Sequence, residues 1–275
     1  MSYRVAIAGA TGVVGQEFLR VLTERAFPIV ELRLMASARS VGKQMSFRDQ
    51  AYAVENLATA DFTGVDVAFF SAGSDQQEHA RRAAAQGALV VDNSSAFRMD
   101  PDVPLVVPEV NAEAGRAHTG LIANPNCSTI ILVVVLAPLE AQARIRRVVV
   151  STYQAVSGSG AAALTELEAQ GEAARQGREL TAEVYPAPIH ANVIPFVQAF
   201  GDDAITTEEW KMVRETRRIL ARPDLPVSAT CVRVPVVRAH SEAVNIEFDR
   251  EVSPEEVRGW LAGAPGVRVV DDPAR

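Results

Sequence analysis

The stretch Val5-Ala6-Ile7-Ala8-Gly9-Ala10-Thr11-Gly12-Val13-Val14-Gly15 constrains this chain more than any other. An aliphatic run enters a G-x-x-G-x-x-G loop that opens into a helix-period pattern. Glycines there permit the tight turn and let backbone N–H groups approach a pyrophosphate, whose charge the following helix N-terminus favours. The chain continues as such a unit requires. Apolar β-rich runs at 4–8, 31–36, 65–71, 88–92 and 120–123 alternate with helical patterns at 13–25 and 76–86. Few charges interrupt these runs, the mark of strands covered on both faces, so an α/β fold with a doubly wound, Rossmann-type parallel sheet is expected. Gly9, Thr11, Gly12, Val13 and Val14 are its expected dinucleotide contacts.

After Asn126 the texture becomes α+β. A long helix leads to a strand at 147–155, a helix within 161–175, an irregular Pro/His stretch at 185–195 and a charged helix at 207–220. Two further runs, 229–237 and 242–249, read as neighbouring antiparallel strands. The division expected is therefore 1–126 and 127–275.

Composition excludes several function classes. At 275 residues with 48% hydrophobic and 22% charged side chains, the chain fills a globular core. A net charge of −7 argues against holding nucleic acid through a general field. The longest apolar run, 130–137, is closed by Pro138 and falls short of the roughly 18 residues a membrane span needs. The apolar N-terminal stretch runs straight into glycines, so no signal peptide is expected. Two cysteines, Cys127 and Cys231, are too few for a disulfide framework and wrongly spaced for zinc. A cytoplasmic location is expected.

The end of the second strand bears on the cofactor. An acid there bonds the ribose 2′-hydroxyl of NAD, whereas a basic group accepts the 2′-phosphate of NADP. The chain reads Ser37-Ala38-Arg39-Ser40 with no carboxylate, so NADP is expected, on a guanidinium flanked by two hydroxyls. A nucleophile is expected at Cys127, which follows Asn124-Pro125-Asn126 and opens a helical run; a helix N-terminus lowers a thiol's pKa. Cys231 lies inside an alternating β-run and reads as core.

Gly-Ala-Thr-Gly-x-Val-Gly, Asp92-Asn93-Ser94-Ser95-Ala96-Phe97-Arg98, Asn124-Pro125-Asn126-Cys127-Ser128-Thr129, Tyr153-Gln154-Ala155-Val156-Ser157-Gly158, and Arg233 with His240 follow in order through the whole chain. Together they resemble the aspartate-β-semialdehyde dehydrogenase family. The resemblance implies an NADP-dependent oxidoreductase that interconverts 4-phospho-L-aspartate with L-aspartate 4-semialdehyde plus phosphate, in lysine, threonine, methionine and diaminopimelate biosynthesis. Cys127 would form the thioester and His240 would take the proton from the thiohemiacetal. Gln154 would orient the substrate, Asn126 would help bind substrate or phosphate, and Ser157 and Gly158 would line the nicotinamide side. Arg233, seven positions before His240, would clamp the α-carboxylate; Arg238 reads as a solvated strand residue. Glu208 would receive the substrate amine, while Lys211 and Arg98 would bind phosphate. His79, His118 and His190 read as surface or structural. The second domain would be catalytic and dimerising, in a homodimer or a tetramer.

Family members continue for several tens of residues beyond the point matching Arg275, so a chain lacking the family's C-terminal portion is expected. Two other readings stay open: N-acetyl-γ-glutamyl-phosphate reductase, which shares the acyl-phosphate chemistry, and a non-catalytic nucleotide-binding, dimerising subunit.

Overall fold

The computed structural model describes residues 1–73 and 76–272. The chain divides into two compact units, Met1–Val106 with Ala112–Pro125, and Val107–Asn111 with Asn126–Arg275. The last three residues, 273–275, lie outside the described set.

In the first unit the chain runs β1 (Tyr3–Ala8), α1 (Val13–Glu24), β2 (Ile29–Ala36), β3 (Gln44–Phe47), β4 (Gln50–Asn56), β5 (Val67–Phe70), α2 (Gln77–Ala85), β6 (Leu89–Asp92) and β7 (Leu121–Ala123). Among the described residues these strands form one sheet in the order β3-β4-β2-β1-β5-β6-β7. β1 pairs in parallel with both β2 and β5, so the strand order reverses at its C-terminal end, where the glycine loop begins. Val5, Ile7, Leu34 and Phe70 are almost wholly buried, and α1 lays Leu19 and Leu22 on the sheet. The hairpin of β3 and β4, antiparallel and set on the sheet edge, has no counterpart in the sequence reading. Its turn is Arg48-Asp49, with Arg48 at φ 51°, in place of the Asn-Gly or Asp-Gly pair that announces such turns. Only Met45 and Phe47 of β3 turn inward, so its apolar pattern is too short to register.

The second unit carries α3 (Pro108–Asn111), α4 (Cys127–Glu140), β8 (Ile145–Gln154), α5 (Ala161–Arg175), α6 (Thr207–Ile219), β9 (Val227–Arg233), β10 (Ser241–Phe248) and α7 (Pro254–Ala262). Its sheet has the order β10-β8-β9, with β9 parallel and β10 antiparallel to β8. The runs at 229–237 and 242–249 are therefore not neighbours, contrary to the sequence reading. β8 separates them because it is the richest in fully buried aliphatics, Ile145, Val148 and Val150, and takes the centre, while the alternating runs suit edges with one open face. β9 also stops at Arg233, so Arg238 stands exposed in the loop 234–240 instead of on a strand.

α4 packs Leu132, Leu136 and Leu139 against Val148, Val150, Met212 and Leu225. It runs two residues past Pro138, which occupies the last turn rather than ending the helix. Cys231 is buried in this core, where desolvation pushes its thiol up to about 12. Among the described residues no helix is long and apolar enough to cross a membrane.

One core-facing group of β10 is a carboxyl. Glu242 sits opposite Thr152 of β8, its Oε1 is buried without a hydrogen-bond partner, and burial pushes it up to about 8. In the unfolded chain a glutamate ionises near pH ~4.3. Between that pH and about 8 the unfolded state releases a proton that the folded state keeps, so folding loses stability as pH rises through this window. Glu242→Gln is expected to raise the thermal midpoint by about 5 °C at pH 8 and by nothing at pH 4. Thermal unfolding at the two pH values checks this; an equal gain at both would assign the effect to shape.

Candidate active site

The Asn126 side chain caps α4, its Oδ1 accepting the N–H groups of Ser128 and Thr129 at 3.0 and 3.3 Å. Cys127 is thereby the first helical residue, and its thiol is exposed at the positive end of the helix dipole. Two carboxylates of α6 clamp the cap. Asn126 N–H donates to Glu215 Oε2 at 2.6 Å, and Asn126 Nδ2 to Glu208 Oε1 at 2.9 Å. Gln154, at the end of β8, donates from Nε2 to Glu208 Oε1 at 3.0 Å and to Ser128 Oγ at 2.5 Å, while its own Oε1 is buried without a partner. Lys211 closes the group, Nζ lying 3.1 Å from Glu208 Oε2 and 2.7 Å from Gln198 Oε1. Burial pushes the Glu208 carboxyl up, but Lys211 and the Gln154 and Asn126 amides outweigh it and hold the group below the usual carboxylate range.

His240 enters from the turn before β10. Its Nε2 lies 3.1 Å from Cys127 Sγ, and its Nδ1 accepts the Ala155 N–H at 2.9 Å. Burial lowers the imidazole's pKa, the Arg233 guanidinium lowers it further, and Glu208 opposes both. Arg233 ends β9, donates from Nη1 to Ala155 O at 2.6 Å, and keeps a buried Nε–H without a partner. Ser157 and Gly158 lie in the 3-10 turn Val156–Ser159 that follows β8. A Cβ on Gly158 would stand 3.2 Å from Arg233 Nη1 and 3.5 Å from His240 Cε1, so glycine keeps this side open. Chemically, the constellation offers a thiol with an imidazole, a guanidinium with a spare donor, and an ionised carboxylate.

The first unit holds the other expected residues. Gly9 adopts φ 83°, and a Cβ there would come within 2.3 Å of Ser71 O; a Cβ on Gly15 would come within 2.3 Å of Gly9 O. Gly15 is thus required for α1 to sit against the loop, and Gly9 for the loop to pass the backbone that follows β5. Gly12 is the N-cap of α1, Val13 and Val14 begin it, and Thr11 lies in the turn before it. Ser37 immediately precedes the short turn Ala38–Ser40 after β2; Arg39 in that turn is exposed and makes no ion pair among the described residues. A loop that a Cβ would fill, a helix start behind it and a cation at the tip of the second strand fit a dinucleotide.

Arg98 is buried, donating to the backbone oxygens of Asn93 and Asn124 at 3.0 Å each. It is therefore built into the unit rather than solvated on a loop. The other histidines lie elsewhere: His79 is buried on α2, His118 accepts the Gly120 N–H, and the His190 ring stands beside Gly171.

The sequence reading missed Glu215, Ser128 and the Ala155 amide. Glu215 had one available signal, since it stands seven residues after Glu208 and so returns to the same helix face. The amide had none, because every residue carries one.

Two family models match, semialdehyde dehydrogenase NAD binding domain over residues 4–118 and semialdehyde dehydrogenase dimerisation domain over 136–275. The aspartate-semialdehyde dehydrogenase of Aquifex aeolicus (strain VF5) is 52% identical, the match covering 99% of this chain and 82% of the relative. The crystal structure of aspartate semialdehyde dehydrogenase II complexed with ASA from Vibrio cholerae superposes with TM-score 0.94 at 43% identity, over 97% of this chain and 80% of that one. The aspartate semialdehyde dehydrogenase with NADP from Candida albicans gives TM-score 0.72 at 26% identity, over 95% and 76% of the two chains.

Proposed function

The chain belongs to the semialdehyde dehydrogenase family, and we propose that it interconverts L-aspartate 4-semialdehyde plus phosphate with 4-phospho-L-aspartate, using NADP and a thioester on Cys127, in amino-acid biosynthesis. The observation that carries this reading is the Cys127 thiol, at the start of α4 and 3.1 Å from His240 Nε2.

Attack by the Cys127 thiolate on the substrate carbonyl splits one difficult exchange into two easier ones through a covalent intermediate. NADP, when bound, accepts or supplies the hydride. Gly9, Thr11, Gly12, Val13 and Val14 would hold its pyrophosphate, Ser37, Arg39 and Ser40 its 2′-phosphate, and Ser157 with Gly158 the nicotinamide end. The spare donor of Arg233 suits the α-carboxylate, because a planar fork fixes orientation as well as charge. Ionised Glu208 suits the substrate ammonium, and the unpaired Oε1 of Gln154 is an acceptor for orienting it. Asn126 holds this group in place. Arg98 and Lys211 supply the cations for phosphate. Residues 1–126 serve as the nucleotide-binding domain and 127–275 as the catalytic and dimerising one, in a cytoplasmic homodimer that can pair into a tetramer.

The test is NADPH formation by the pure chain from aspartate semialdehyde, NADP and phosphate. Phosphate-dependent turnover is expected, with none from N-acetylglutamate semialdehyde. No NADPH while NADP still binds would leave a non-catalytic subunit. The cofactor assignment has its own check: Arg39→Asp is expected to raise KM for NADP about 10- to 100-fold, the worth of a charge-assisted hydrogen bond, while leaving KM for NAD unchanged or lower.

A further inference from the structure

Gln198 stands outside the expected set and holds a backbone conformation that side-chain-bearing residues rarely take. Its φ is 66°, in the left-handed region that favours glycine. The segment is pinned on both sides of it. Val197 is buried in the same cluster as Leu132 and Met212, and Ala199 O accepts the N–H of Thr207, the first residue of α6, at 2.9 Å. Strain of this kind persists only where the surroundings over-determine it, and it collects at functional sites.

The Gln198 side chain is bound to α6. Its Oε1 accepts hydrogen bonds from Lys211 Nζ at 2.7 Å and from the Thr207 hydroxyl at 3.0 Å. The orientation of the amide is settled by its partner, since an ammonium has donors only and the atom facing it must be the oxygen. Lys211 also donates to Glu208 Oε2 at 3.1 Å, so the ammonium lies closer to a neutral oxygen than to a charged one, the reverse of what charge alone would produce. Two of its three N–H groups are thereby fixed in direction, and the third remains on a side chain that is 22% exposed.

We propose that Gln198 is a positioning residue for phosphate: it holds the Lys211 ammonium away from full pairing with Glu208, keeps one N–H for the incoming dianion, and does so without adding charge. The proposal rests on the reading of Lys211 as a phosphate-binding cation. Neutrality matters as much as contact. The charges of Glu208 and Lys211 cancel, so a carboxylate in place of the Gln198 amide would leave the group net negative and repel a dianion. Gln198 thus favours an anionic co-substrate as well as placing the cation that receives it, and its left-handed backbone is the strain that this placement carries.

Steady-state rates and calorimetric titration with inorganic phosphate, both on the full chain, test this. Gln198→Gly suits the left-handed backbone and deletes the acceptor. Its kcat/KM for phosphate is expected to fall about tenfold and its Kd for phosphate to rise as much, while kcat/KM for aspartate semialdehyde stays within about threefold of wild type. Gln198→Glu, which keeps an acceptor but adds charge, should weaken phosphate about 10²-fold. In a Lys211→Met background, where the cation is gone, Gln198→Gly should cost nothing further. Equal losses for the two substrates, or a full additional loss in the Lys211→Met background, would assign Gln198 to the fold and overturn the proposal. A loss in Lys211→Met with none in Gln198→Gly overturns the positioning role and leaves the phosphate role of Lys211 standing. No loss in either variant fails the phosphate reading of Lys211, and the proposal with it. In a chain that binds NADP without turnover the dehydrogenase reading fails, while the phosphate titrations still decide the role of Gln198.

Discussion

Cys127→Ser is expected to lower turnover about 10⁴-fold or more while leaving NADP affinity unchanged. A serine hydroxyl is a far weaker acid than a thiol, so it needs a base to become a nucleophile. The group that faces it is His240, whose Nε2 lies 3.1 Å from Cys127 Sγ. The substitution is nearly isosteric, and the side chain it changes is exposed at the first position of α4, so the fold is not disturbed. The residues assigned to the dinucleotide, apart from Ser157 and Gly158, lie in the other compact unit. Steady-state rates measure the loss. Intact-mass detection of an acyl-enzyme, formed from the acyl phosphate by wild type and not by the variant, separates loss of the nucleophile from loss of binding. Turnover within tenfold of wild type would remove Cys127 from the mechanism.

The parts of this molecule that could be read from sequence are those specified by neighbours in the chain. The glycine loop is a local strand-loop-helix device. Gly9, though it has a positive φ, is also held by a distant neighbour, the backbone of Ser71 after β5, whereas Gly15 is needed because α1 packs on the loop within a few residues. The same holds for Cys127, whose place at a helix start is fixed by Asn126 immediately before it. What escaped was set by distant partners. The order β10-β8-β9 follows from which strand carries the most fully buried aliphatics, a comparison among strands that no one segment contains. The β3–β4 hairpin lacks a turn signature and has one short apolar face. The clamp of Glu215 on the Asn126 N–H spans 89 residues, and the hydrogen bond from the Ala155 N–H to His240 Nδ1 spans 85. Both use a backbone amide, which leaves no trace in residue identity.

Glu208 joins these distant pieces, and Glu208→Leu is expected to have the largest effect on stability and a large one on activity. Glu208 is 3% exposed and holds Asn126 at the N-cap of α4, Gln154 of β8 and Lys211 of its own helix. Leucine matches its volume but leaves two buried amides and an ammonium short of an acceptor. Removing one partner of a buried pair costs about 3–5 kcal/mol, or about 10 °C in thermal midpoint for a chain of this size. Because Asn126 positions Cys127 and Gln154 faces the site, kcat/KM for aspartate semialdehyde is expected to fall about 10³-fold as well. The pH dependence identifies the cause. Interactions hold the folded carboxyl below its unfolded value, so its contribution is complete above the unfolded pKa, near pH ~4.3, and is lost as pH falls through the folded one. The gap in thermal midpoint between wild type and Glu208→Leu should therefore be full at pH 7 and narrow progressively below pH ~4.3. Glu208→Gln should fall between the two proteins, since its oxygen can serve the amides while its NH₂ meets the Lys211 ammonium donor to donor. A gap that stays constant down to pH 3 would show that leucine disturbs packing, and that the charge of Glu208 does not hold the three elements together.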